Sequence, residues 1–155
     1  MEKIKKILAP TDFSELSVAG VRSALELAGA LGAEVTVYHT VSTDELMHYD
    51  QLGRADDIRG KYEHTLGRFL EEHCADLLPL AEVHKKVELG APEDNIVAEA
   101  KEGGMDLIVI STHGRTGLSH ILLGSITERV VRHAPCPVLS IRPQERKGER
   151  VAAAA

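Results

Sequence analysis

The sequence predicts an α/β fold: a single doubly wound five-stranded parallel sheet with helices on both faces and strand order 3-2-1-4-5. Three observations predict it. Strand-like and helix-like stretches alternate along a chain of 155 residues, the length of one domain. Leu107-Ile108-Val109-Ile110 is continuously apolar, as a strand covered on both faces must be. Aromatic residues make up only 3% of the chain while 43% is hydrophobic, so Val, Ile, Leu and Ala have to fill the core.

The elements follow in order. Ile4 to Ala9 reads as the first strand, stopped by Pro10. Ser14 is placed to cap a helix running to about Leu31, with Val18, Val21, Ala24, Leu25, Ala28 and Leu31 at helical spacing and Gly32 as the stop. Glu34 to Val41, rich in Val, Thr and Tyr, is the second strand. Ser42 to Gly53 lacks clear periodicity and reads as an irregular connection. A long helix is expected from about Arg54 to Leu77, with Ile58, Tyr62, Leu66, Phe69, Leu70 and Cys74 along its apolar stripe. Leu80 to Leu89 alternates, and its polar face of Glu82, His84, Lys86 and Glu88 marks an edge strand. Pro92 suits the first turn of a short helix that stops at Gly103-Gly104. After the buried fourth strand and a long loop, a helix spans about Ser125 to His133, and Val138 to Arg142 is the last strand. Residues 1–142 form one domain, and the tail from Pro143 to Ala155 is expected to be disordered.

Charge and composition exclude several classes. The net charge of -6 argues against binding nucleic acid through its phosphate backbone. No stretch reaches the roughly 18 apolar residues that span a bilayer, and the first residues carry charges with no apolar signal core behind them. The two cysteines, Cys74 and Cys136, form neither a disulfide framework nor a metal-ligand pattern, and the eight histidines show no metal-binding spacing. A cytoplasmic protein that binds neither nucleic acid nor membrane is expected.

Right-handed crossovers make the first and fourth strands neighbours at the topological switch point, where ligands of such sheets bind. Two segments meet there, Pro10-Thr11-Asp12 and the loop from Ser111 to Ser125. Gly114, Gly117 and Gly124 let backbone approach an anion closely, and amides at Gly124, Ser125, Ile126 and Thr127 would open the final helix toward a phosphate. Ser125-Ile126-Thr127-Glu128 reads equally as a capping box. The length of the loop favours a functional role, since connections usually take about 4–6 residues. Two readings stand for His113, phosphate donor or turn residue, and two for Arg115, phosphate contact or solvated charge.

The loop Thr-His-Gly-Arg-Thr-Gly-Leu-Ser-His-Ile-Leu-Leu-Gly-Ser resembles the nucleotide loop of the universal stress protein family, whose signature is Gly, two residues, Gly, nine residues, then Gly-Ser or Gly-Thr. Here Ser111 takes the first place, Gly114 the second, and Gly124-Ser125 the last. His-Ala-Pro-Cys-Pro-Val-Leu and Ile-Leu-Ala-Pro-Thr-Asp-Phe-Ser-Glu are similar to the family as well. The resemblance covers roughly residues 1 to 142. It implies adenine near Asp12 and Val41, with Pro10 and Thr11 shaping the floor. It also implies ribose and phosphates along Ser111, His113, Gly114, Gly124, Ser125, Ile126 and Thr127. It further implies ATP carrying Mg or Mn on its phosphates, and a homodimer formed through Val138, Leu139, Ser140 and Ile141. Ser111 departs from the signature: a Cβ there weakens binding if the backbone needs positive φ or a very close phosphate, whereas a serine that only ends the strand is tolerated.

The sequence carries no Walker motif and no evident nucleophile–base pair. At most slow ATP hydrolysis or autophosphorylation is left open. The rival reading is a dimeric interaction module that regulates a partner protein without binding ATP.

Overall fold

The computed structural model describes residues 2–53, 57–112 and 124–143. Its elements are β1 (Lys6–Pro10), α1 (Glu15–Leu31), β2 (Glu34–Val41), α2 (Thr43–Gln51), α3 (Ile58–Cys74), β3 (Glu82–Leu89), α4 (Pro92–Glu102), β4 (Leu107–Ser111), α5 (Ser125–His133) and β5 (Val138–Ile141), with a 3-10 turn at Leu78–Leu80. All strand pairs are parallel and the order is β3-β2-β1-β4-β5, as the sequence predicts.

Strand alternation divides the core into two layers. Ile7, Ala9, Val35, Val37, Val41 and Val109 pack under α1 and α3. Leu8, Tyr38, Ile108 and Ile110 pack under α4 and α5, against Ile96, Ala100 and Val130. β4 is buried at every position, which explains its unbroken apolar run. β3 stands at the edge, and its alternate residues Glu82 and His84 are exposed. The chain leaves β1 for β2 on one side and passes through β4 to β5 on the other, so the switch point lies between β1 and β4.

The helix signals work as expected at α1. Ser14 accepts from the Ser17 amide as N-cap, and Gly32 closes the helix at φ 66, a left-handed conformation that glycine adopts without a Cβ penalty. Three expectations need correction. Ser42 to Gly53 is no irregular connection, because α2 occupies most of it. The helix has no fully buried residue, and only Leu46 and Tyr49, half-buried, pack against the core. It is set instead by a complete capping box in which Ser42 and Glu45 satisfy one another's backbone amides. The third helix is described from Ile58 rather than Arg54, residues 54–56 lying outside the described set, and it ends at Cys74, not Leu77. Finally, Ser125 does not cap α5. The N-cap is Gly124, with no side-chain cap bond, and Ser125 is the first helical residue. Residues 144–155, the expected disordered tail, also lie outside the described residues.

Candidate functional site

A cleft of about 430 Å³ opens beyond the carboxyl ends of β1, β2 and β4. Pro10, Thr11, Asp12, Ser111, Gly124, Ser125, Ile126 and Thr127 all line it, so eight of the residues named from the sequence converge there. Val41 does not. It is fully buried and packs in the α1/α3 layer, while Thr40 and Ser42 on either side of it line the cleft. Side chains alternate along a strand, so the residue facing the cleft from the end of β2 is Thr40. His113, Gly114 and Arg115 lie outside the described residues. The structure adds Ser17, Tyr38, His39, Glu45, Pro92, Ile96 and Ile110 to the wall. The Ser-x-x-Glu spacing at Ser42 to Glu45 was the available signal for Glu45. No local pattern marks the others.

The β1–α1 turn is tightly wired. The Thr11 carbonyl lies 2.8 Å from Nδ1 of the buried His39. A carbonyl only accepts, so that nitrogen carries the hydrogen. The Ser17 hydroxyl donates to the Ser14 carbonyl at 2.7 Å, which leaves it to accept from Thr11 Oγ1, also at 2.7 Å. Thr11 Oγ1 in turn accepts from the Phe13 amide at 3.1 Å. Asp12 Oδ1 accepts from the Ser14 amide at 2.9 Å and from the Ser14 hydroxyl. Asp12 is therefore both a cleft residue and a brace for the start of α1.

The β4–α5 side resolves the question that Ser111 raises. Among the described residues Phe13 is the only non-glycine with positive φ, so Ser111 needs no glycine-like backbone. Its hydroxyl turns into α1 and accepts from the Gly20 amide at 2.9 Å, and its carbonyl accepts from Thr127 Oγ1 at 3.1 Å. The Thr127 hydroxyl is thus committed to β4. The Gly124 amide is committed too, donating to the Thr112 carbonyl at 2.9 Å. Of the four amides expected to open toward the cleft, those of Ser125, Ile126 and Thr127 have no acceptor among the described residues. They carry the positive end of the α5 dipole. At Gly124, whose φ is -54, a Cβ would approach nothing among the described residues closer than the Thr112 carbonyl at 3.4 Å.

No Lys or Arg is among the described lining residues. Carboxylates of Asp12 and Glu45 mark the wall built by β1, β2 and α2, and the amides of α5 mark the opposite wall. Burial pushes the Tyr38 hydroxyl up to about 12, so it stays protonated, directed at the Asn95 carbonyl 3.5 Å away. Burial likewise raises the thiols of Cys74 and Cys136, and neither is an activated thiolate. One group with metal-type ligand atoms, Glu34, Glu82 and His84, lies at the amino-terminal ends of β2 and β3. There His84 and Lys6 pair with the carboxylates on the open edge of the sheet.

A doubly wound parallel sheet with a ligand-sized cleft at its switch point, walled on one side by helix amides, defines a class of α/β binding protein. Within that class the chain belongs to the universal stress protein family, whose model matches residues 3–142. It is 32% identical over 152 residues to universal stress protein MJ0531 of Methanocaldococcus jannaschii, covering 92% of this chain and 85% of that one. To MJ0577 of the same organism it is 31% identical over 153 residues, covering 89% and 94%. The solved structure of MJ0577 superposes with a TM-score of 0.74 at 29% identity, over 94% of this chain and 100% of that chain. A universal stress protein crystallised in complex with cAMP shares the fold, with a TM-score of 0.64 at 21% identity over 90% and 98% of the two chains.

Proposed function

We propose that this chain is an ATP-binding universal stress protein that acts as a nucleotide-dependent regulator in a stress response. The observation that carries the reading is the trio of amides at Ser125, Ile126 and Thr127, without acceptors among the described residues, at the mouth of a helix that borders the cleft. A phosphate fits that end, held by N–H groups and the helix dipole without any basic side chain. Asp12 supplies an acceptor for an exocyclic amine such as that of adenine, its Oδ2 having no partner among the described residues. That a neighbour of the same fold was crystallised with cAMP supports an adenine nucleotide as the ligand class. With no basic residue among those described in the wall, a divalent ion such as Mg or Mn would travel on the phosphates and offset their charge. His113, Gly114 and Arg115 complete the proposed phosphate loop.

The reading includes a cytoplasmic homodimer joined through Val138, Leu139, Ser140 and Ile141. β5 lies at the sheet edge, and Leu139 is 42% exposed there. No described helix is long and apolar enough to cross a membrane. The second reading, a dimeric interaction module that does not use ATP, draws on the exposed apolar side chains Val131 and Leu139.

Thermal melts with millimolar Mg-ATP separate the two. A ligand at a hundredfold excess over its dissociation constant adds about 2.7 kcal/mol, or roughly 5–10 °C for a domain of this size. The wild type should show that rise and Gly124→Val should lose it. No rise in the wild type leaves the interaction module, whereas an equal rise in both overturns the placing of the phosphates at the mouth of α5.

A further inference from the structure

We infer that Phe13 is a positioning residue of the cleft: a left-handed backbone held by an aromatic wall aims Asp12 at the ligand. The inference rests on the proposal that a nucleotide occupies this cleft.

Phe13 has φ 64, the only positive value at a non-glycine among the described residues. An L-residue carries a cost of about 1–2 kcal/mol in that conformation, and such an outlier persists only where its surroundings over-determine it. Here they do. The ring lies 4.1 Å from that of His39, 5.7 Å from Phe69 and 6.2 Å from Tyr62. The amide donates to Thr11 Oγ1. The strained residue sits between Asp12, which lines the cleft, and Ser14, which caps α1 and is bonded by the Asp12 carboxylate. Relaxing Phe13 to an extended φ would redirect the chain between these two residues and part the carboxylate from the Ser14 amide. Two of the three rings holding Phe13 come from α3. The aim of a cleft carboxylate thus depends on the packing of a helix that contributes no described residue to the cleft wall.

A Phe that merely filled the core would give a different pattern on substitution, and two variants separate the cases. Phe13→Ala and Phe13→Gly both delete the ring, but only glycine adopts the left-handed turn freely. Mg-ATP affinity is measured by calorimetry, and protection of the Ser14 amide by hydrogen exchange on the ligand-free protein. Phe13→Ala should lose Ser14 protection and bind Mg-ATP more weakly than wild type. Phe13→Gly should recover protection and bind about fivefold to thirtyfold more tightly than Phe13→Ala, although it packs no better. The inference is overturned if Phe13→Ala keeps wild-type affinity or protection, or if glycine does no better than alanine. Should wild type fail to bind Mg-ATP, the proposed ligand is wrong, and the exchange comparison alone still decides whether Phe13 holds the turn. If Phe13→Ala does not fold, Phe13→Leu takes its place in the comparison with glycine.

Discussion

The backbone amide of Gly20, inside α1, donates to the hydroxyl of Ser111 at the end of β4, across 2.9 Å of buried space. A Cβ on Gly20 would stand 2.7 Å from that hydroxyl oxygen and 2.9 Å from the Ser111 backbone nitrogen. Helix and strand approach closely here, the Gly20 backbone lying against the Ser111 hydroxyl and backbone nitrogen.

Gly20→Ala should therefore destabilise the protein by about 1–3 kcal/mol, as overpacking does. On helix propensity alone the same change would stabilise by about 1 kcal/mol, so urea denaturation decides by sign. Adding Ser111→Gly should restore only part of the loss, because the backbone nitrogen remains in the way.

Asp12→Ala should lower both Mg-ATP affinity and the stability of the empty protein, the latter by about 0.5–2 kcal/mol, because the carboxylate braces Ser14. This differs from the expectation for a purely ligand-facing acid, whose removal would leave the empty protein unchanged. Asp12→Asn keeps an acceptor for the Ser14 amide. It should hold the melting temperature near wild type while still weakening the nucleotide. Paired melts and calorimetry on the two variants check this.

Base titration followed by tyrosinate absorbance should show a late component from Tyr38. Of three tyrosines, Tyr38 is raised to about 12 by burial. The buried neutral phenol contributes stability that is fully present below its ordinary value near 10. That contribution is lost as pH rises toward about 12. Tyr38→Phe should remove the late component and leave the rest of the titration intact.

At the acid end, Arg22 donates to both carboxylate oxygens of Asp76 at 2.8 Å and holds its pKa below the usual value. A depressed carboxylate contributes stability above its ordinary pKa of about 4 and loses it as pH falls through the folded value. Melting temperatures from pH 6 downward should fall less steeply for Asp76→Asn than for wild type. Because Asp76 is exposed, the difference should shrink in high salt.

Much of the fold was legible because its signals are local. The Ser14 cap, the Gly32 stop, the period of α1 and the apolar run of β4 each lie within a few residues of the element they define. α2 escaped because it buries no residue fully and rests on the core only through the half-buried Leu46 and Tyr49, too short an apolar stripe to read as a period. Its capping box was legible in principle. Val41 was assigned to the cleft one residue late, and in a strand one residue exchanges the two faces. The same distance from local pattern hid His39, Ile96 and Tyr38, which reach the cleft from elements far apart in sequence.

The sequence by itself determined the order of the strands, the parallel sheet and the two segments that meet at its switch point, since periodicity, caps and crossover handedness need no distant partner. Only the tertiary structure decided what each site residue has left to offer. Ser111 and the Thr127 hydroxyl are spent on neighbouring elements, Gly124 on Thr112, and Asp12 is shared between α1 and the cleft. A hydrogen-bonding group consumed by the fold is the same letter in the sequence as one available to a ligand, and only the packed neighbours tell them apart.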